Sequence, residues 1–411
     1  MLVGDSLSVP EKNRLVEKTF AAGLEVYNTS MPEKWGKLTD IRLKIAPLQI
    51  EDLLERNPIE TDIHLIGDDL YGKTILVTGG AGSIGSELAK QIAAFRPKKL
   101  IVLDNAESAL HGIDLYLKKE FPELKYQCYL ADITKRGRMT GIFEKFKFDV
   151  VYHAAAYKHV PMIENHPREG IRINTMGTRI LAELACQFGC ERFVMISTDK
   201  AVNPSNVMGA TKRAAEMYVQ ALQRKPGVTT KFITTRFGNV LGSNGSVIPF
   251  FKEQIKNGGP VTVTHKDIIR YFMTIQEACQ LVLQAGTMGK GGEIFVFDMG
   301  KPVRILDMAE RMIKLSGLKP YEDIPIEITG LREGEKLYEE LLNAGEKVLP
   351  TFHPKIMVSG VVEYEYTFIS QALDELDVLI NTVGKKKTII KKLKVLVPEY
   401  LSQNSVYADL D

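Results

Sequence analysis

From Lys73 onward the chain alternates between two hydrophobic periods. Short apolar runs rich in β-branched residues recur: TILVT at 74–78, KLIVL at 99–103, YQCYL at 126–130, DVVYHAA at 149–155, RFVMIS at 192–197, KFITTR at 231–236 and EIFVFDM at 293–299. Stretches of helical periodicity fall between most of them. Runs this apolar are buried on both faces, and strand–helix alternation builds a parallel sheet covered on each side. Right-handed crossovers make that a doubly wound, Rossmann-like α/β fold. After Arg236 the rhythm loosens. GNVLGSNGSVIPFF and the segment through Phe272 read as loops and short elements, a substrate-lobe insertion over 241–272. From Lys301 a smaller helical and mixed lobe follows. Residues 1–66 are mixed: EKNRLVEKTFAAGLEVYN (11–28) predicts a helix, then a strand, too short for a core of its own. The expected organisation is thus an N-terminal segment 1–66, a dinucleotide-binding domain 67–300 and a C-terminal substrate-binding lobe 301–411.

Composition narrows the function classes. Of 411 residues, 45% are hydrophobic and 25% charged, as in a soluble globular protein. A net charge of +2 provides no field for nucleic acid or acidic lipid. Four cysteines do not make a disulfide framework, and Cys186 and Cys190 lack a second pair of metal ligands, so no metal is expected and a reducing, cytoplasmic setting fits. No stretch reaches the roughly 18 apolar residues of a spanning helix, and the N-terminus has no signal-peptide pattern. The Lys-rich GKKKTIIKKLKVLVPEY (384–400) reads as a solvated last helix before it reads as a membrane contact.

Two places carry chemistry. In ILVTGGAGSIGSEL (75–88), Gly79, Gly82 and Gly85 form a glycine turn between a strand and a helix opened by Ser83 and Ile84. Such a turn lets the backbone approach a pyrophosphate, and the helix N-terminus supplies N–H groups and positive dipole. Asp104 ends the next strand about 20 residues past Gly85, where a carboxylate binds a ribose diol; Asn105 follows it. Asp104 would repel a 2′-phosphate, which favours NAD over NADP. Asp132 and Ile133 end the third strand, where an Asp either reaches the adenine amino group or closes a turn. Ala154, Ala155 and Ala156 follow the fourth strand and line the same crevice.

The second place is RFVMISTDK. Ligands in such sheets sit beyond the carboxyl ends of strands, so Thr198, Asp199 and Lys200 face the crevice. NVMGATKRAAEMYVQAL (206–222) predicts a helix on which Met208 and Lys212, at i and i+4, share a face. Asp199 can act as an acid if burial raises its pKa, and Lys200 as a base if desolvation lowers its own. Met208 can do neither.

Six motifs in order, TGGAGSIGSELAKQI, HAAAYKHVPMIE, STDKAVNPSNVMGATKR, RFGNVLGSNGSVIPFF, RYFMTIQEA and LREGEKLYEELL, resemble the UDP-N-acetylglucosamine 4,6-dehydratases of bacterial polysaccharide and glycan biosynthesis, within the extended short-chain dehydrogenase/reductase superfamily. In that superfamily a Tyr normally occupies the position of Met208; the Met is characteristic of the larger, often membrane-anchored branch of these dehydratases, in which C5 configuration is retained. The resemblance implies oxidation at C4 with bound NAD, loss of water across C5 and C6, and reduction at C6. It puts Asp199 as the acid at O6, Lys200 as the base at C5, Thr198 as a donor and proton relay at O4, and Lys212 on the cofactor ribose. Arg270 and Arg332 match its motif positions for the substrate diphosphate. Lys158 and His159 face the crevice, while Asn239, Ser243 and Val247 lie on a segment that would cover the nucleotide. Asn174 reads as a helix-packing or relay residue.

Larger relatives carry transmembrane helices and a further upstream domain. Residues 1–49 resemble the tail of that domain, and any membrane contact would come through such a missing part. The helix over Met208–Leu222 is of a type that pairs across dimer interfaces, so at least a dimer is expected. A UDP-sugar epimerase and a non-catalytic NAD-binding regulator are the rival readings.

Overall fold

The computed structural model describes residues 2–4, 9–21, 27–29, 45–47, 59, 61–340, 348–360, 362–382 and 385–411, in two compact units. The larger unit comprises Ile59–Gly238, Ile275–Met299 and Arg332–Asp411. Its sheet contains β1 (Thr74–Thr78), β2 (Lys99–Asp104), β3 (Tyr126–Leu130), β4 (Val150–His153), β5 (Arg192–Ile196), β6 (Lys231–Arg236), β7 (Ile294–Phe297), β8 (Val348–Pro350) and β9 (Ile356–Ser359). The spatial order is 8-9-7-6-5-4-1-2-3. Strands β1 to β7 are parallel, while β9 runs antiparallel to both β7 and β8. All seven apolar runs of the sequence become strands, and all of β1, β4 and β5 is buried. The order reverses between β1 and β4, which places a crevice at their carboxyl ends.

Five helices matter for the site: α1 (Ser83–Ala94), α2 (Val207–Gln223), α3 (Ile275–Met288), α4 (Tyr366–Asn381) and α5 (Lys386–Leu396). Helices α1 and α3 pack together on one face of the sheet. Helix α2 is buried on every side from Val207 to Leu222, although it carries Lys212, Arg213, Glu216 and Gln220. Its covering includes α4 and α5 of the same chain. That corrects the ground for expecting a dimer through Met208–Leu222: the apolar faces are already occupied from within the chain. The charges on α2 are satisfied internally. The Glu216 carboxylate accepts from Arg236 Nε at 2.9 Å and Nη2 at 2.6 Å, and from Arg213 at 3.2 Å. Arg213 also donates to Glu399 at 2.6 Å and to the Tyr364 hydroxyl at 2.7 Å, tying the C-terminal segment to the helix.

The Lys-rich tail forms α5. Ile389, Ile390, Leu393 and Leu396 are buried, and Lys387, Lys392 and Lys394 pair with Asp409, Glu375 and Asp411. Among the described residues no helix is long and apolar enough to cross a membrane.

The smaller unit comprises Met1–Pro58, Asn239–Thr274 and Gly300–Leu331. The expected helix and strand near the N-terminus are Val9–Ala21 and Tyr27–Thr29; the connections beyond Thr29 lie largely outside the described residues. Within 239–331, Val261–Val263 pairs with Ile326–Ile328, and Ile269–Arg270 with Val303–Arg304. The stretch read as loop and short elements also holds a helix, Val247–Lys256, whose apolar residues Ile248, Phe251 and Ile255 recur at helical spacing. The unit boundaries differ from the expected 67–300 and 301–411. Residues 332–411 join the sheet because β8 and β9 extend its edge and α4 and α5 cover α2, whereas 300–331 pair with the 239–274 segment.

Candidate active site

The glycine turn is shaped by close backbone approach. Gly79 has φ 65°, and a Cβ there would lie 2.5 Å from the Ala155 nitrogen. A Cβ on Gly85 would strike the Gly79 carbonyl. The Gly82 N–H donates to that carbonyl at 3.0 Å, and α1 starts at Ser83 with Ile84 behind it. Asp104 grips the turn: Oδ2 accepts from Ala81 N and Oδ1 from Ala106 N, both at 2.9 Å. The Ala154 N–H donates to Thr78 O at 3.1 Å, so Ala154–Ala156 run out beside Gly79 at the switch point. A backbone cradle of this kind, closed to side chains and set on a helix N-terminus, fits a pyrophosphate. Asn105 is exposed beside it. Asp132 closes a turn, accepting at 2.8 Å from both the N–H and the hydroxyl of Thr134, and Ile133 packs in the core.

Beyond β5 the chain turns sharply at Thr198, Asp199 and Lys200. Asp199 is buried, and its Oδ1 accepts from the Thr198 hydroxyl at 2.8 Å and from Lys200 Nζ at 3.0 Å. Its other oxygen, Oδ2, is buried with no hydrogen-bond partner. Burial, opposed by Lys200 and reinforced by Glu339, raises the Asp199 pKa. A protonated Asp199 therefore carries its proton on Oδ2, because Oδ1 already accepts two bonds. The Thr198 hydroxyl proton is committed to Asp199, so donating to a sugar oxygen requires that hydroxyl to rotate.

Met208 and Lys212 sit on α2 as the spacing implied, both buried. Lys212 Nζ donates to Ile196 O at 2.7 Å, and desolvation lowers its pKa to about 8. Behind them runs a ladder of buried hydrogen bonds that sequence reasoning did not find. Thr178 donates to Asn174 O at 2.7 Å, so its hydroxyl must accept from His153 Nε2 at 2.8 Å. His153 Nδ1 then accepts from Thr78 at 2.8 Å, and burial pushes the imidazole down to about 3, keeping it neutral. Asn174, in a π-helical turn at Ile171–Gly177, clamps both backbone groups of Tyr157 and donates to Thr211 at 3.0 Å. It thereby ties the loop bearing Lys158 to α2.

Lys158 and His159 lie exposed on that loop. Partial desolvation and the repulsion of the Lys200 ammonium lower the Lys158 pKa. Partial desolvation and Lys158 lower that of His159. Arg332 is exposed, and its N–H donates to Glu335 at 3.0 Å. The other four candidates belong to the smaller unit. There the Asn239 N–H donates to Tyr271 O at 3.2 Å, the Ser243 hydroxyl to Val240 O at 3.1 Å, Val247 opens the helix 247–256, and Arg270 is buried with Nη1 on Ile269 O at 2.7 Å.

Sequence reasoning took only Arg332 from LREGEKLYEELL. The structure shows that its segment Gly334–Glu340 docks on the loop after Lys200. Lys336 Nζ donates to Val202 O at 3.1 Å, and Ser205 and Asn206 both donate to Gly334 O at 3.0 Å. Gly334 has φ 72°, and a Cβ on it would lie 2.5 Å from the Asn206 Cβ. The motif ends by bringing the buried Glu339 within 3.4 Å of Lys200 Nζ. The available signal was a glycine between charged residues followed by paired glutamates.

A family model described as "Polysaccharide biosynthesis protein" matches residues 75–360. The chain belongs to that family. It is 51% identical over 346 residues to the "Capsular polysaccharide biosynthesis protein CapD" of Staphylococcus aureus, an alignment covering 84% of this chain and 57% of that one. The chain thus spans little more than half the length of this relative. It is 32% identical to a "UDP-N-acetylglucosamine 4,6-dehydratase (inverting)" of Campylobacter jejuni, over 78% of this chain and 90% of that protein. It is 33% identical to a "UDP-glucose 4-epimerase" of Rickettsia massiliae, over 67% and 79%. Among solved structures, Pen from Bacillus thuringiensis matches with TM-score 0.65 and 32% identity, covering 72% of this chain and 90% of that one. This polysaccharide biosynthesis protein is therefore a nucleotide-sugar dehydratase/epimerase relative with the extended short-chain dehydrogenase/reductase fold.

Proposed function

We propose that this chain is an NAD-dependent 4,6-dehydratase of UDP-N-acetylglucosamine, yielding the UDP-4-keto-6-deoxy sugar. The observation that carries the reading is Asp199, a buried carboxyl of raised pKa whose Oδ2 has no partner, with an ammonium and a hydroxyl on its other oxygen. An epimerase needs no acid for a departing hydroxyl; a dehydratase does. NAD rather than NADP follows from Asp104 at the turn.

Bound in the glycine cradle, NAD would supply the acceptor and later the donor of one hydride. The protein's own groups do the rest. Lys212 holds the cofactor ribose and the end of β5. Asp199 gives its proton to the departing O6, and Lys200 takes the proton from C5 once the adjacent ketone has acidified it. Thr198 bonds O4. Arg332 and Lys158 hold the diphosphate. Met208 takes no part in proton transfer and fills space beside Lys212. Retention at C5 follows from the resemblance to the Met-bearing branch. The Campylobacter relative named as inverting is only 32% identical, so the product's configuration is a separate readout.

The test is incubation of purified protein with UDP-N-acetylglucosamine in deuterated water, followed by mass spectrometry and NMR of the product. Loss of one water with deuterium at C5 is expected. Unchanged mass with an epimer identifies the epimerase, and tight NAD binding without turnover identifies a regulator. Lys200→Met and Asp199→Asn should each lower turnover by about 10²–10⁴-fold.

A further inference from the structure

The catalytic cluster contains a third ionisable group with no role in the scheme above. Glu339 is buried, its side chain 4% exposed, and its Oε1 lies 3.4 Å from Lys200 Nζ; Asp199 contacts the same nitrogen at 3.0 Å. With Asp199 protonated, the Lys200 ammonium still faces the Glu339 carboxylate. A lysine held as an ammonium has no lone pair and cannot remove a proton from carbon. Its proton needs a destination, and Lys158, which repels Lys200, cannot supply one as a cation.

We propose that Glu339 is a positioning residue for the elimination: it fixes Lys200 Nζ in place and accepts the proton that Lys200 must shed before attacking C5–H. The inference rests on the dehydratase reading. The protons balance. One passes from Lys200 Nζ to the Glu339 carboxylate, and the freed lone pair takes the C5 proton. The C5–H electron pair forms the C5–C6 double bond and expels O6, which leaves as water with the Asp199 proton. On reduction the ammonium returns a proton to C5 from the same face, and Glu339 returns its proton to Lys200. The proton released from the 4-hydroxyl restores Asp199. The motif LREGEKLYEELL thus serves two ends, its Arg332 at the substrate and its Glu339 at the base. Gly334 and Lys336 anchor the connecting segment to the loop at Val202–Asn206.

The experiment compares wild type, Glu339→Gln, Glu339→Asp and Lys200→Met in full-length protein with UDP-N-acetylglucosamine. It follows enzyme-bound NADH by absorbance, C5 deuterium exchange by NMR, and the pH dependence of each. Glu339→Gln should still form NADH, with KM little changed. Its C5 exchange should fall by about 10²-fold and should rise with pH into the lysine range, because Lys200 must then lose its proton to solvent. Glu339→Asp should recover part of the rate and the wild-type pH profile, an outcome that altered packing alone does not give. Wild-type exchange rate and pH profile in Glu339→Gln, with Lys200→Met inactive, would overturn this inference and leave the dehydratase reading standing. If Glu339→Gln does not fold, an Asp variant whose profile moves to alkaline pH overturns it equally. Full exchange in Lys200→Met, or an epimer from the wild type, would instead remove the reading beneath it.

Discussion

Lys212 should cost the folded protein stability, and the cost should depend on pH. Its ammonium is buried, and desolvation lowers its pKa from 10.5 to about 8. At about 1.4 kcal/mol per pH unit, the shift corresponds to about 3 kcal/mol against the charged form. The folded value lies below the unfolded one. Below pH 8 both states are charged and the full cost applies. Between pH 8 and 10.5 the folded state has lost the proton that the unfolded state still holds, so stability rises with pH. Above 10.5 the cost is gone. Lys212→Met removes the titration. It also removes the hydrogen bond to Ile196 O, a loss of about 1 kcal/mol that is the same at every pH. Wild type should therefore gain on the variant by about 1.4 kcal/mol per pH unit from 8 to 10.5. The assay is urea unfolding followed by far-ultraviolet circular dichroism at pH 7, 8, 9 and 10, on protein stripped of nucleotide. A gap between the two proteins that stays flat across this range refutes the reasoning, and places the Lys212 ammonium in contact with water.

Glu216→Gln, which breaks a fully buried carboxylate's bonds to Arg236 and Arg213, should lose about 3–5 kcal/mol at neutral pH by urea unfolding. Because Glu216 is held at about 2, below its unfolded 4.5, its contribution is present above pH 4.5 and fades as pH falls toward 2; a deficit that does not narrow there contradicts the assignment. Met208→Tyr should lower both turnover and stability, the latter by about 1–3 kcal/mol, because a phenol overfills a closed site; a large rise in turnover would place the missing base at 208 after all. Gly334→Ala should reduce turnover more than substrate affinity, since a Cβ at φ 72° beside Asn206 displaces the segment bearing Glu339; unaltered kinetics would show that the segment tolerates the shift.

The sheet was legible because its signals are local. Seven apolar runs of strand length, a glycine turn between strand and helix, and an acid closing the second strand each follow from backbone geometry within a few residues. The i, i+4 relation of Met208 and Lys212 and the placement of Thr198–Lys200 at a strand's end came the same way. The insertion was only half legible: its helix at Val247–Lys256 follows a glycine-rich stretch that masks a short period. The compact units divide the chain differently from the expected domains because edge strands 348–350 and 356–359 look like any short apolar run until they pair.

What the sequence by itself determined is the doubly wound fold, the family and the residue types at the reacting strand. Burial and long-range pairing were decided by the tertiary structure alone. Helix α2 carries four polar or charged residues between Lys212 and Gln220 that a local pattern assigns to solvent or to a partner. They are buried only once α4, α5, Arg236 and the end of β5 close around the helix, which removes the ground for expecting a dimer through it. Likewise, nothing in the order of residues joins Glu339 to Lys200. Their meeting depends on the 334–340 segment hydrogen-bonding to the 202–206 loop, and an ion pair between groups so far apart in the chain exists only once the fold has closed that distance.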